Sequence, residues 1–360
     1  MRIWFVGGGA FAASCLARLS ERFFFEKIVT GHPTKAGRGM KDRVSQVEQI
    51  AEELGLTAIL ERTGPLSRNE KLTEIVSTDP PDLMFVIDFG QVIREPFLNG
   101  PRYGCLNIHP SLLPRWRGAA PVQRALMNGD GKTGVTVFRL VEEMDAGPIL
   151  AQVEVPITLE TTSEELFEVL AAMGSDAAIQ SVGSLIEGSI QRSSGESPER
   201  SSLEGSPEEN SIEESSIKKS SIEESFIEKS SIEESYIEGS SRFSAQNSEF
   251  ATYAAKLTKE EAEVFWTQNY LHIHNIVRAF ASSSGAFIVA EGKRLKLWRT
   301  TPVEEEGQPG QVLRFLDGDP VIACEGGALR LREVQNEGKR KVGGADWACG
   351  GRLEVGGVLG

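Results

Sequence analysis

The sequence predicts an α/β protein: a doubly wound, mostly parallel sheet followed by a small C-terminal OB-like β-barrel. Three observations carry this expectation. Strand and helix patterns alternate through residues 1–188, and that alternation is the signature of a parallel sheet covered by helices. Five short apolar runs, broken by Gly, Pro and Asp turns, crowd into residues 249–360, as in small barrels. Between the two lies a 60-residue low-complexity stretch, residues 189–248.

The elements follow in order. RIWFVG reads as a buried strand, AASCLARLSERF has helical spacing, KIVTG is a second strand and SQVEQIAEELGL an amphipathic helix. PDLMFVID and GCLNIH are further strands, and AAPVQRALMNG is a helix closed by Gly129. GVTVFRLV is another strand, and a long helix starts at Ser163, read as its N-cap. In the last third, HIHNIVRAF reads as a helix. AFIVAEG, RLKLWRTT, PGQVLRFL, PVIACEG and ALRLREVQ read as the five strands.

In the middle stretch 20 of 60 residues are Ser, and a ten-residue unit recurs: SIEESSIKKS, SIEESFIEKS, SIEESYIEGS. Isoleucine every five residues matches neither a helix face nor a strand face. So little apolar surface cannot offset the entropy of ordering, so this stretch is expected to be a disordered linker. It also distorts the charge balance. The chain carries a formal −14, but residues 189–248 alone hold 13 acidic against 6 basic side chains. Local clusters of Lys and Arg, not the total, decide whether a polyanion is bound.

Hydrophobic residues make up 40% of the chain, enough for a core and too many for a wholly disordered or fibrous protein. No run approaches about 18 consecutive apolar residues, so no membrane span is expected. The N-terminus has no export-signal pattern. Cys15, Cys105, Cys324 and Cys349 are scattered without a CxxC pair, which fits a reducing cytoplasm and neither a metal site nor a disulfide framework.

Gly7, Gly9 and Ala12 fit a loose dinucleotide fingerprint. However, Thr30, Gly31 and His32 stand where a nicotinamide site needs a carboxylate, so a tight turn after the first strand is the better reading. The strongest constellation is in NIHPSLLPRWRG. Asn107 and His109 are two apart on a strand that Pro110 ends, so both point to one face at its carboxyl end, where ligands bind such sheets. Asp145 follows a neighbouring strand and precedes Ala-Gly-Pro. An amide N–H can stabilise an oxyanion, an imidazole can carry a proton and a carboxylate can orient the imidazole. Together they suit transfer of an acyl-type group to an amine. Ser111 is a poorer nucleophile candidate, with no second His near it.

NIHPSLLPRWRGAAPVQRAL and the downstream MDAGPIL resemble the folate-dependent formyltransferases. ATYAAKLTKEEAEVFW, IHNIVRAF, GKRLKLWR and ALRLREVQNEGKRKV resemble the second domain of one branch, whose acceptor is the α-amino group of methionine on initiator tRNA. The resemblance covers nearly all of the chain outside the Ser/Glu stretch. It implies a formyltransferase (Rossmann-like) domain over 1–188, the linker over 189–248 and a tRNA-binding OB-like domain over 249–360. It implies 10-formyltetrahydrofolate as donor, no metal, and initiator methionyl-tRNA as partner. The family's triad falls on Asn107, His109 and Asp145, and its folate motif on Ser111, Leu112, Leu113 and Pro114. A basic loop that reaches the tRNA acceptor end falls on KAGRGMK, giving that role to Arg38 with Lys35 and Lys41 beside it. Lys293, Arg294, Lys296 and Arg299, with Lys339, Arg340 and Lys341, are expected to meet tRNA phosphates.

The chain departs from the family pattern at Gly8-Gly9, at Asp88-Phe89-Gly90 and at Ser282-Ser283-Ser284-Gly285. The first two bear on the folate pocket. The third is expected to loosen a turn. The alternatives are a homologue that binds tRNA or folate without catalysis and a formyltransferase with another amine acceptor. A monomer acting in the cytoplasm is expected.

Overall fold

A computed structural model describes residues 1–36, 41–193, 243–290 and 292–359. The first half is built from β1 (Ile3–Gly7), α1 (Ala10–Ser20), β2 (Phe25–Gly31), β3 (Thr34–Ala36), β4 (Lys41–Arg43), α2 (Gln46–Glu53), β5 (Leu60–Thr63), α3 (Glu70–Thr78), β6 (Leu83–Ile87), β7 (Cys105–His109), β8 (Arg117–Gly118), α4 (Pro121–Asn128), β9 (Lys132–Arg139), β10 (Ile149–Pro156) and α5 (Ser163–Ser193). Seven strands form one sheet in the order β10-β9-β7-β6-β1-β2-β5. The pairings β1/β2, β1/β6, β2/β5 and β6/β7 are parallel, whereas β7/β9 and β9/β10 are antiparallel. The chain leaves β1 toward β2 and β5, then crosses back to place β6 on the other side of β1. That reversal opens a crevice at the carboxyl ends of β1 and β6.

Period-two alternation divides the core across the sheet. Ile3, Phe5, Leu83, Phe85 and Ile87 pack with α1 and α5 on one face. Trp4, Val6, Met84 and Val86 pack with Leu72, Val76 and Phe97 on the other. Local chemistry sets the helix ends. Ser45 and Asn69 accept from Glu48 N and Leu72 N at the starts of α2 and α3. Gly129, at φ 74°, closes α4 in the left-handed region. At α5 the cap is Thr162, one residue before the expected Ser163. Its hydroxyl accepts from Glu165 N at 3.3 Å while its own N–H donates to Glu165 Oε2 at 2.8 Å, a capping box. Ser163 instead turns to the second half, bonding Ser282 Oγ at 2.8 Å and accepting from Ser282 N at 3.0 Å. The turn at Ser282–Gly285 is therefore tied rather than loosened.

By length and hydropathy α5 could cross a membrane over Ser163–Ile186, which a search for unbroken apolar runs does not detect. Here Leu166, Leu170, Ala171, Ala177, Ala178 and Val182 of that helix belong to the core.

Helix α5 runs five residues past the boundary expected at 188, and Ser244 and Gln246 are bonded to the first half. Residues 194–242, with the repeat, lie outside the described residues. The second half contains β11 (Tyr253–Ala254), α6 (Tyr270–Ala279), β12 (Ala286–Ala290), β13 (Lys293–Val303), β14 (Val312–Leu316), β15 (Asp319–Cys324), β16 (Gly327–Asn336), β17 (Val342–Gly343) and α7 (Gly344–Gly351). Its antiparallel sheet has the order β12-β13-β16-β15-β14, with β17 on β16, the framework of a small barrel-like domain. Strand β11 pairs with β8 of the first half.

Polar anchors fasten the halves together. Arg124 Nη1 pairs with Glu261 Oε1 at 2.5 Å. Buried Arg278 donates to Thr158 O at 2.8 Å. Buried His274 bonds Leu159 O through Nε2 at 2.7 Å and Thr300 Oγ1 through Nδ1 at 2.8 Å.

Candidate active site

Asn107 and His109 stand on β7 at the crevice, as their spacing requires. With Asp145 they line one cleft of about 480 Å³. Two loops wall it: Asp88–Ile93 after β6, and Leu140–Asp145 between β9 and β10. Phe11 and Phe167 close another side.

Asn107 Nδ2 donates to Val86 O at 2.6 Å, which fixes the amide against β6 and leaves its second N–H free to serve the cleft. His109 is buried, 6% exposed. Its Nε2 faces Trp116 O at 2.9 Å. A carbonyl only accepts, so Nε2 carries the hydrogen and Nδ1 holds the lone pair of the neutral ring. Nδ1 is 3.8 Å from Asp145 Oδ2, so a proton arriving there meets a carboxylate. Asp145 Oδ2 is itself held by Gly118 N at 2.8 Å. The arrangement provides a fixed amide donor, a nitrogen able to take and return a proton, and a carboxylate to stabilise the imidazolium.

Asp88 follows β6 at φ 44° and borders the same cleft. It is open to the cleft yet walled by protein, and burial pushes its carboxyl up to about 6. Its neighbour across the switch point is Gly9, whose N–H donates to Asp88 O at 3.3 Å. A Cβ on Gly9 would lie 1.7 Å from Asp88 Oδ2, so any larger residue there must push this carboxylate aside. Gly9→Ala is expected to cost about 1–2 kcal/mol, and less in an Asp88→Ala background. Denaturant midpoints of the two single variants and the double variant measure that coupling.

The folate motif residues take other places. Ser111 Oγ donates to Arg115 O at 2.7 Å, Leu113 N donates to Thr136 Oγ1 at 3.1 Å, and Leu113 O accepts from Gln152 at 2.8 Å. Ser111 and Leu113 are buried, and Leu112 lies against Gly134. None of Ser111, Leu112, Leu113 and Pro114 lines the cleft. Their polar groups are consumed in bracing the loop behind His109. The cleft wall is instead apolar at Val92, Val141 and Met144, each exposed. No short motif marks those loops, which is why the sequence reading missed them.

Arg38 lies outside the described residues. Lys35 is exposed on β3, and Lys41 belongs to β4, the strand that pairs with it. In the second half the two basic clusters meet. Lys296 Nζ lies 5.4 Å and Lys341 Nζ 3.6 Å from the ring centre of Trp298. Arg294 stacks on Phe287 at 4.5 Å. Lys293, Lys339 and Arg340 are exposed at the strand ends beside them. Arg299 departs from the cluster: an irregularity in β13 turns it to Glu165 of α5, at 3.6 Å. Among the described residues no His, Cys, Asp and Glu group is arranged to hold a metal ion. Burial pushes the thiols of Cys15, Cys105 and Cys324 up to about 12, too high for a nucleophile near neutrality.

The formyl transferase family matches residues 1–182, and the C-terminal domain of formyl transferases matches residues 256–352. A methionyl-tRNA formyltransferase of Methylobacterium nodulans is 32% identical over 364 aligned positions, covering 100% of this chain and 99% of that protein. The fold resembles HypX from Aquifex aeolicus in complex with tetrahydrofolic acid. That match has a TM-score of 0.55 at 18% identity and spans 97% of this chain but 47% of the other. It also resembles an N-formyltransferase from Helicobacter canadensis in complex with folinic acid and dTDP-3-aminofucose. There the TM-score is 0.54 at 15% identity, with 95% and 100% coverage.

Proposed function

This chain belongs to the methionyl-tRNA formyltransferase family, and we propose that it moves the formyl group of 10-formyltetrahydrofolate to the α-amino group of initiator methionyl-tRNA. The observation that carries the site assignment is the convergence of Asn107, His109 and Asp145 on one cleft. The exposed Val92, Val141 and Met144 offer a flat apolar wall suited to a pterin ring. The folate supplies the activated formyl group. The free Asn107 N–H faces the oxygen that becomes negative as the amine adds. His109 Nδ1 takes a proton from the attacking amine and delivers it to the departing folate nitrogen, while Asp145 steadies the charged ring. Overall, one N–C bond forms and another breaks; one proton of the neutral amine passes through His109 to the folate nitrogen and the other stays on the new amide, an ammonium acceptor having first lost its extra proton to solvent.

Two features favour tRNA over a small amine acceptor: the C-terminal domain itself and the basic surface around Trp298. On that surface Lys296 and Lys341, held over the Trp298 ring, are placed to neutralise phosphates. Lys35, Arg38 and Lys41 are assigned to the acceptor end, and the chain is assigned as a cytoplasmic monomer. Lys341→Glu is expected to weaken tRNA binding and lower the slope of log affinity against log salt by about one. Filter binding across a salt series measures it. An acceptor panel tests the proposal. Methionyl initiator tRNA should be formylated, while glycinamide ribonucleotide and amino-sugar nucleotides should not; preference for a small amine would reverse the assignment.

A further inference from the structure

Gln246 stands near the end of the 189–248 stretch expected to be a disordered linker, and it reaches back to the active-site loop. Its side-chain oxygen accepts from Arg117 Nε at 3.1 Å and Nη2 at 2.8 Å. Its Nε2 donates to Asp145 O at 2.8 Å and Gly147 O at 2.7 Å. All of the amide's main bonding capacity is thus spent on two targets, a buried guanidinium and the turn that carries Asp145. Arg117 is 1% exposed, and its third nitrogen faces Glu143 at 3.4 Å. The segment is pinned nearby, because Ser244 and Ile149 exchange main-chain bonds of 2.8 and 2.7 Å. On the other side Arg117 N donates to Thr252 O at 2.8 Å.

Asp145 needs such support. Its φ is 50°, a left-handed conformation that a non-glycine residue holds only where its surroundings impose it. Its carboxylate must also meet Gly118 N and face His109 together. We propose that Gln246 is a positioning residue for Asp145: the last residues of the Ser/Glu stretch supply part of the frame holding the catalytic carboxylate. The first half alone would lack that brace. This inference rests on the formyl-transfer reading above.

A double-mutant cycle with the full chain tests it, using Gln246→Glu, Asp145→Asn and the double variant at saturating 10-formyltetrahydrofolate and methionyl initiator tRNA. Glutamate keeps an oxygen for Arg117 but cannot donate to the two carbonyls. The expected result is a loss of about 30-fold in kcat for Gln246→Glu, with both KM values within about threefold and the variant still folded at the assay temperature by its melting curve. In the Asp145→Asn background the same change should cost less than about threefold. An equal loss in both backgrounds, or wild-type kcat in Gln246→Glu, overturns the proposal. Gln246→Ala in the same cycle serves if the glutamate variant does not fold. Absence of transfer by the wild-type chain contradicts the underlying activity instead.

Discussion

Replacing His109 with alanine is expected to lower kcat for formyl transfer by about a thousandfold while leaving tRNA affinity unchanged. The size follows from the proton that Nδ1 carries, since a positioned acid or base contributes roughly 10²–10⁴. Retained tRNA binding follows from place. His109 is buried beneath the cleft, bonded to Trp116 O, whereas the basic surface around Trp298 belongs to the other half. Asn107→Ala should act through kcat as well, by about 10²–10³, the usual range for removing one oxyanion donor. Asn107 bonds to the main chain at Val86, so the lost amide also frees that carbonyl. A melting curve taken alongside separates damage to the frame from loss of chemistry. If His109→Ala kept wild-type turnover, the imidazole would have no part in the reaction.

Acid should loosen the joint between the halves before it unfolds either one, and His274 is the reason. The ring is 2% exposed, and burial, reinforced by the Arg278 charge, holds it down at about 4 against the bond from Leu159 that favours the charged form. Nε2 donates to Leu159 O, so Nδ1 accepts from Thr300; the neutral ring is the form that fits. An unfolded histidine titrates near 6.5. Below that pH the unfolded chain binds a proton that the folded one refuses. Stability from this residue is therefore complete above pH 6.5 and is lost as the pH falls toward 4, by about 3 kcal/mol in all. Asp88 works with the opposite sign, because its carboxyl is raised in the fold and it takes up a proton there first. The comparison of wild type with His274→Gln isolates the histidine. Denaturant midpoints from pH 7 to 4 should fall more steeply for wild type than for the variant. Parallel curves would show that the ring takes up its proton in the fold as readily as in the unfolded chain.

Much of the site was legible because strand geometry is local. Asn107, His109 and Pro110 are close in sequence, and period two alone puts the two side chains on one face at a strand end. Asp145 was legible as a turn carboxylate after the neighbouring strand. Arg117 and Gln246 were not, because 129 positions and most of the Ser/Glu stretch separate them. A buried arginine next to a tryptophan looks like any surface arginine until its partner arrives. The Ser111–Pro114 motif shows the reverse limit. A motif can mark the right loop while its side chains serve the loop's own bonding.

The fold shows the same division. Strongly apolar β1, β6 and β7 were plain, and so were the five alternating strands of the second half. Strand β5, LERT, was missed because only Thr63 is fully buried, and α3 with it. Strand β10 was missed because most of its side chains are only half-buried. The cap of α5 was misplaced by one residue because Thr162 and Ser163 are both good caps. Glu165 stands three residues after Thr162, which decides between them.

Labelled 10-formyltetrahydrofolate mixed with methionyl initiator tRNA and the full chain is the most direct measurement. Label should appear as formylmethionyl-tRNA with the wild type and fall about a thousandfold with His109→Ala, both proteins binding the tRNA alike. Bound tRNA that never acquires the label from the wild type would contradict the assignment of this cleft to formyl transfer.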